Sequence, residues 1–415
     1  MQLKTILNRI EKHPSFVYGQ PKFEEGAESI VIPLSPRAKS RPVCSGCGRR
    51  GGIYDTASLP RRFQFVPIWG IAVFFLYTMR RVNCPACGVT TERVPWAVGK
   101  SPVTTSFAWF LAGWAKRLSW KETAESFRTS WESVFRAVKM AVIWGLEHRD
   151  LSNITAIGVD EVLWHRGHKY MTVVYDISTG RRRILWMGKD RKEETIRSFF
   201  DFFGERAKNL NYVCSDMWKP YLKVIAEKAG QAIHVLDRFH IMANINKAID
   251  KVRAIEAKEL KEKGLEPVLK SKRWLLVKRP ENLTEKQATS MNELIQYNLK
   301  TVKAYLLKEE FQRLWDYTSP VWAGKFLDQW CKVTMRSQIE PMKKIAKMVR
   351  RHRPLILNWF RAKGMISAGV VEGLNNKLKL TTRKAYGFRT FQATEIALYH
   401  TMGDLPEPER THRFC

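Results

Sequence analysis

The sequence predicts a multidomain protein: a cysteine-bearing ribbon domain and a helix-turn-helix, then an α/β core interrupted by an all-helical insertion. Three observations carry that expectation. Two C-x-x-C pairs, Cys44/Cys47 and Cys84/Cys87, stand near the N-terminus. Helical periodicity fills residues 104–148. From residue 151 strand-like and helix-like segments alternate, until about residue 240 charged helical segments take over and continue to about 365.

The whole chain sets bounds on function. With 415 residues it is long enough for two or three domains, each with its own core. A hydrophobic content of 45% with 15 Trp excludes a disordered chain. Lysine and arginine number 71 against 40 acidic residues, a net charge of +31, so the expected partner is a polyanion. Nucleic acid fits best, because each neutralised phosphate releases condensed counterions. No membrane partner is expected. The longest apolar run, "VPIWGIAVFFLYTM" at residues 66–79, is shorter than the roughly 20 residues of a spanning helix and is bracketed by arginines. No secretory signal is evident in the first sixteen residues, so the expected compartment is the cytoplasm.

Residues 1–40 read as a leader with short strands. In "CSGCG" and "CPACG" a Gly follows each second cysteine, where a tight turn lets backbone amides approach thiolate sulfur. Cys44, Cys47, Cys84 and Cys87 are therefore expected to hold one structural zinc in a zinc-ribbon-like domain, with a long hairpin ("FQFVPIW", "IAVFFLYTM") between the halves. Within "SWKETAESFRTSWESVFRAV", Ser119 and Glu122 have capping-box spacing and a second helix starts near Thr129 or Ser130, the layout of a helix-turn-helix. Arg136 and Lys139 would lie on its exposed side, suited to phosphates or base edges.

Beyond residue 151, "ITAIGVD", "KYMTVVYDI" and "RRRILWMG" read as an antiparallel meander. A helix, the strand "NYVCSD", a helix opened by Pro220 and the strand "QAIHVLD" follow. The order β-β-β-α-β-α-β is that of a ribonuclease H-like core. After the insertion, "GVVEGLNNKLKLTTRKAYGFRTFQATEIALYH" resumes with a helix, a turn at Gly387 and a final helix. The predicted segmentation is 1–100 (zinc-binding), 101–150 (helix-turn-helix), 151–240 (core), 241–365 (insertion), 366–403 (core, final helices) and 404–415 (tail).

This strand order brings carboxylates together. Asp160 is expected to end the first strand, on the face of Ile154, Ala156 and Gly158, and Asp216 to end the fourth, its neighbour. A helix crossing that edge could add Glu372. Three carboxylates so close need divalent cations to neutralise them, and hard oxygen donors suit Mg²⁺ or Mn²⁺. Two ions about 3.5–4 Å apart would serve phosphodiester cleavage. Asp237 is the alternative for the second position and Asp176 for the first. Lys377, Lys379, Arg383, Lys384 and Arg389 would track a nucleic-acid backbone.

The blocks "CSGCG…RRVNCPACG", "SWKETAESF", "IGVDE", "CSDMWKPY", "LDRFHI" and "VVEGLNNKLKLTTRKAYGFR" resemble those of the bacterial insertion-sequence transposases of the ISL-three family. The resemblance implies a DDE-type transposase with Asp160, Asp216 and Glu372 as the metal-binding triad, and Trp218, Asp237 and His240 near the site. It implies binding of the element's terminal repeats in duplex DNA, strand cleavage and transfer to target DNA. A homodimer or higher assembly on DNA, in the bacterial nucleoid, is expected. A non-catalytic zinc and helix-turn-helix regulator, or a ribonuclease H-like nuclease, are the alternatives.

Overall fold

The computed structural model describes residues 2–409 apart from 27, 166, 265–268, 270–271, 279, 298, 363–367 and 385–386; the side chains of Trp274, Ala368 and Lys384 also lie outside the described residues. The chain divides into two units, Met1–Asp150 with Leu380–Cys415, and Leu151–Lys379.

In the first unit α1 (Leu3–Ile10) precedes β1 (Phe16–Tyr18), β2 (Lys22–Phe23), β3 (Ser29–Pro36), β4 (Gly52–Thr56), β5 (Arg61–Ile68), β6 (Ile71–Tyr77), β7 (Arg80–Cys84) and β8 (Gly88–Thr91). The apolar run at 66–79 folds back as the β5–β6 hairpin: Trp69 and Gly70 both take positive φ, 52° and 81°, the conformation a two-residue hairpin turn demands. The leader segment belongs to the same sheet, since β3 pairs parallel with β6, β1 flanks β3 antiparallel, and β2 also pairs with β3. Trp96 fills its core, edge-on to Phe16, Phe63 and Tyr77. Among the described residues no helix is long and apolar enough to cross a membrane.

Strands β4, β7 and β8 form a separate ribbon. A buried ion pair fixes it, with Arg80 Nη2 donating to Glu92 Oε2 at 2.7 Å. Glu92 also accepts from the Arg80 amide and the Tyr77 hydroxyl, so its charge is fully satisfied. Helices α2 (Thr105–Ala115), α3 (Trp120–Ser126) and α4 (Trp131–His148) follow. The capping box is present, Glu122 N donating to Ser119 Oγ and Ser119 N to the Glu122 carboxylate, and Ser130 caps α4. The final helix, Phe391–Met402, expected with the α/β core, instead packs on α4 in this unit. There Leu405 lies so close to Gly145 of α4 that a β-carbon on that glycine would clash.

The second unit holds β9 (Ala156–His165), β10 (Lys169–Asp176), β11 (Arg183–Lys189), α5 (Glu193–Phe203), β12 (Tyr212–Ser215), α6 (Lys219–Lys228) and β13 (Ile233–Leu236). The sheet order is β11-β10-β9-β12-β13, antiparallel from β11 to β9 and parallel from β9 to β13. One face buries Ile157, Val159, Val174, Leu185 and Val213 against aromatic side chains of α5 and Tyr221 of α6. Ile154, expected on the face of Asp160, packs with this cluster because it precedes the strand and escapes its alternation. Asp160 does not end its strand. Pairing with β10 carries β9 on to His165, with Asp160 opposite Val173 in mid-ladder.

The insertion is helical throughout its described residues: α7 (Arg238–Glu262), α8 (Arg273–Val277), α9 (Glu285–Ile295), α10 (Lys300–Gln312), α11 (Pro320–Arg336), α12 (Glu340–Arg351) and α13 (Arg353–Arg361), with short 3₁₀ turns between. Buried Glu256 of α7 caps α10, accepting from Lys300 N and Thr301 N at 2.7 and 2.8 Å. The insertion grips the sheet edge: Leu236 of β13 sits in its core, and Asn358 of α13 donates to the His234 carbonyl at 2.8 Å.

Helix α14 (Ala368–Lys384) covers the second face of the sheet, and Gly158 lets it come close. A β-carbon there would stand 2.6 Å from Val371 Cγ2, on a branched side chain with little freedom to retreat. Gly158→Ala should therefore lower stability by about 1–3 kcal/mol, read as a drop in the thermal midpoint. An unchanged midpoint would mean that α14 does not pack on β9 as described.

Candidate active site and cysteine centre

Strand register builds the acidic site. Val159 of β9 lies beside Ser215 of β12, which lies beside Leu236 of β13. The next residue on each strand is an aspartate, so Asp160, Asp216 and Asp237 stand in a row across three neighbouring strands where β12 and β13 end. Carboxyl-terminal edges of parallel strands are where open α/β sheets bind ligands.

Each aspartate is held by a different partner. Asp160 accepts from the Glu161 amide at 2.8 Å and from the Asn375 side-chain amide. Asp216 accepts from Trp218 N at 3.0 Å, and Asp237 from Phe239 N at 2.8 Å as the cap of α7. Burial pushes both Asp216 and Asp237 up to about 6, because neither finds a full counter-charge there. His240, at the start of α7, brings Nε2 to 3.6 Å from Asp160 and 3.9 Å from Asp237. Asp160 first, then Asp237 and Asp216, draw its imidazole up to about 9 against the opposing effect of burial.

Helix α14 supplies the other side. Asn375 bridges Asp160 and Tyr175, whose hydroxyl donates to Asn375 Oδ1 at 2.7 Å. Glu372 lies one turn earlier and so shares that side of the helix, half-buried, its charge adding to the upward shift of Asp237. The acids are more loosely grouped than the cysteines: among the described residues only the cysteine quartet brings three or more candidate ligand atoms all within 4.8 Å of one another.

Beside the row, Arg191 lies between two rings, 4.3 Å from the Tyr170 centroid and 5.1 Å from that of Trp218. It pairs with Glu161 at 2.9 Å, and Trp218 Nε1 donates to its carbonyl at 3.2 Å. Asp176, the alternative first acid, is spent elsewhere: fully buried, it accepts from Arg183 Nε at 3.1 Å and from the Ser178 amide. Asn375, Tyr175 and Arg191 were not singled out from sequence. Asn375 alone left a trace there, as a polar residue one helical turn after Glu372.

In the first unit the four cysteines converge, with Cys47 and Cys84 sulfurs 3.5 Å apart. Tetrahedral zinc with bonds of about 2.3 Å needs sulfurs about 3.8 Å apart, so the donor set is compatible with zinc. Gly48 and Gly88, both at φ 72°, make the turns that their positions in the two knuckles foretold. The Thr90 hydroxyl and the Cys47 and Gly46 amides draw Cys44 down to about 6, poising one sulfur as thiolate, while its sulfur neighbours, Cys47 foremost, push Cys87 up to about 12. Of the basic candidates, Arg136 is exposed and paired with Glu132 at 3.0 Å, and Lys139 is half-buried. Lys377, Lys379, Arg383 and Arg389 are exposed; the Lys384 side chain lies outside the described residues.

Residues 157–398 match the transposase family model of the ISL-three group. The transposase for insertion sequence element IS1001 of Bordetella parapertussis is 32% identical over 371 residues, covering 88% of this chain and 90% of that one. The transposase for IS1557 of Mycobacterium tuberculosis is 31% identical over 392 residues, covering 88% and 86%. Among solved structures, the Drosophila P element transposase strand transfer complex aligns with 74% of this chain and 92% of that one. At 9% identity and a TM-score of 0.37, no fold is read from it. The family match spans both the aspartate row and α14, and the relatives run nearly the full length of the chain, which is a DNA transposase of the ISL-three insertion-sequence family.

Proposed function

We propose that the second unit is a ribonuclease H-like catalytic core in which Asp160, Asp216 and Glu372 hold divalent cations and catalyse cleavage and joining of DNA strands at the ends of the element. The observation that carries this is the aspartate row at the strand ends, faced by the helix that bears Glu372. The donor set fits Mg²⁺ or Mn²⁺: oxygen ligands only, two neighbouring carboxyls pushed up by burial, and an imidazolium drawn in as partial compensation. When bound, such ions activate the attacking hydroxyl and stabilise the leaving oxygen. Asn375 fixes one oxygen of Asp160 and leaves the other toward His240. His240 is a positioning residue that offsets the repulsion within the row. Trp218 and Arg191 present an aromatic and cationic rim suited to an unstacked base and its phosphate.

The first unit is proposed to recognise the terminal inverted repeats, with structural zinc on Cys44, Cys47, Cys84 and Cys87 and with Arg136 and Lys139 of α4 toward the duplex. Lys377, Lys379, Arg383, Lys384 and Arg389 are proposed contacts to the DNA backbone. The assembly on DNA is proposed to be a homodimer or larger, since two ends must be joined, and to act in the bacterial nucleoid. The proposed functional segments are 1–100, 101–150, 151–240, 241–365 and 366–403, with the last helix lent to the packing of the first unit.

Asp160→Asn, Asp216→Asn and Glu372→Gln should each abolish cleavage and joining of labelled element-end DNA while binding persists. Asp237→Asn tests the rival second acid: if it is inert and Asp216→Asn remains active, the roles are exchanged. Asn375→Leu should lower the rate about 10–100-fold and raise the Mg²⁺ concentration needed for half-maximal cleavage. A purely structural loss would leave that concentration unmoved. Natively purified protein should contain about one zinc per chain, lost in the Cys84→Ser/Cys87→Ser variant; zinc-free native protein would refute the cysteine centre.

A further inference from the structure

We propose that the outer face of α12, in the helical insertion, is a docking surface for the phosphate backbone of duplex DNA. The α12 sequence, EPMKKIAKMVRR, holds five basic residues against one acidic. Its inner face is wholly apolar: Met342, Ile345, Ala346 and Val349 are buried in the core of the insertion. The outer face carries Lys344, Lys347, Arg350 and Arg351, all exposed.

What marks this face is four exposed basic side chains on one helix with no acid left to match them. Several exposed cations elsewhere are matched by acids: Arg197 by Glu193 and Glu227, Lys208 by Glu205, Lys258 by Glu262, Arg313 by Glu310. On α12 the single acid, Glu340, is taken by Lys343, and Asp328 of neighbouring α11 is taken by Arg353. Lys344, Lys347 and Arg351 have no carboxylate within 4.0 Å among the described residues. Arg350 sits by the Cys331 thiol. Like charges left together on one helix face repel, at a few tenths of a kcal/mol for each close pair, and a polyanion relieves that cost.

Lys344, Lys347 and Arg351 lie at i, i+3 and i+7, a stripe about 10 Å long. One strand of duplex DNA offers a phosphate per about 3.4 Å of axis, so about three fall along the stripe and all three cations can be neutralised by one backbone segment. A rigid helix pinned through its apolar face presents them with little ordering cost. The anchoring of the insertion on β13, the strand that ends at Asp237, ties such a contact to the sheet that carries the acids. The proposal rests on the transposase reading only for the choice of DNA as the polyanion.

The test uses full-length protein and a fluorescent duplex of random sequence, with binding followed by anisotropy from low to moderate salt. Lys344→Gln/Lys347→Gln/Arg351→Gln should reduce the slope of log affinity against log salt by up to about 2.7, at about 0.9 per lost phosphate contact. Lys208→Gln/Lys258→Gln/Arg313→Gln, with the same loss of net charge at ion-paired positions, should stay near the wild-type slope. Exchange of the three for Arg, Arg and Lys should also keep it, which separates charge from a folding defect. Equal losses in the two glutamine variants, or a wild-type slope in the α12 variant, would overturn the proposal. Element-end cleavage measured in parallel keeps the two readings apart: wild type that cleaves beside an α12 variant with unchanged slope sinks only the docking surface, and wild type that binds by α12 without cleaving sinks only the catalytic reading.

Discussion

Everything at the acidic site depends on one register. Three aspartates stand one residue beyond the last pairing of β9 with β12 and of β12 with β13, at the same level. A slip by one residue on any strand would send its carboxylate to the opposite face, among the side chains of α5 and α6. The hydrophobic alternation of β9 forbids that slip, since Ile157 and Val159 would have to leave their aromatic core. The core thus fixes the position of charges that destabilise it. Their burial is tolerated because backbone amides, Asn375 and His240 share out the load.

The same economy explains α14. Gly158 gives the helix room to press Val371 onto the sheet, which carries Asn375 to Asp160 and Glu372 to the same side. The long helical insertion separates β13 from α14 in sequence, yet its own core takes in Leu236 and holds the end of β13 firmly. The insertion therefore works on the site from beneath, by stiffening the strand that ends in Asp237.

The cysteine centre follows a different logic. Its ribbon is too small to bury much apolar surface: among the described residues, Val82 is the one buried aliphatic side chain clustered with Cys44 and Cys84. It is stabilised instead by convergent sulfurs and the buried Arg80–Glu92 pair, where removing one partner costs roughly 3–5 kcal/mol.

Periodicity and spacing were enough to determine the strands and helices of the α/β core, the helical nature of the insertion, the capping box of α3 and the convergence of Cys44, Cys47, Cys84 and Cys87, because each is set by neighbours in sequence or by a knuckle that closes locally. The acids at 160, 216 and 372 were legible as candidates because a carboxylate beside an apolar run has few other reasons to be there. Tertiary structure alone decided the rest. Asp237 joined the row and Asp176 left it for Arg183, since only register tells which strand ends lie level. Asn375 and Arg191 gained their roles from contacts across 215 and 30 residues of chain, to Asp160 and Glu161. The last helix took its place on α4, beside Gly145, because the fit that decides between two apolar surfaces is a matter of shape, and shape is not written in the period of a sequence.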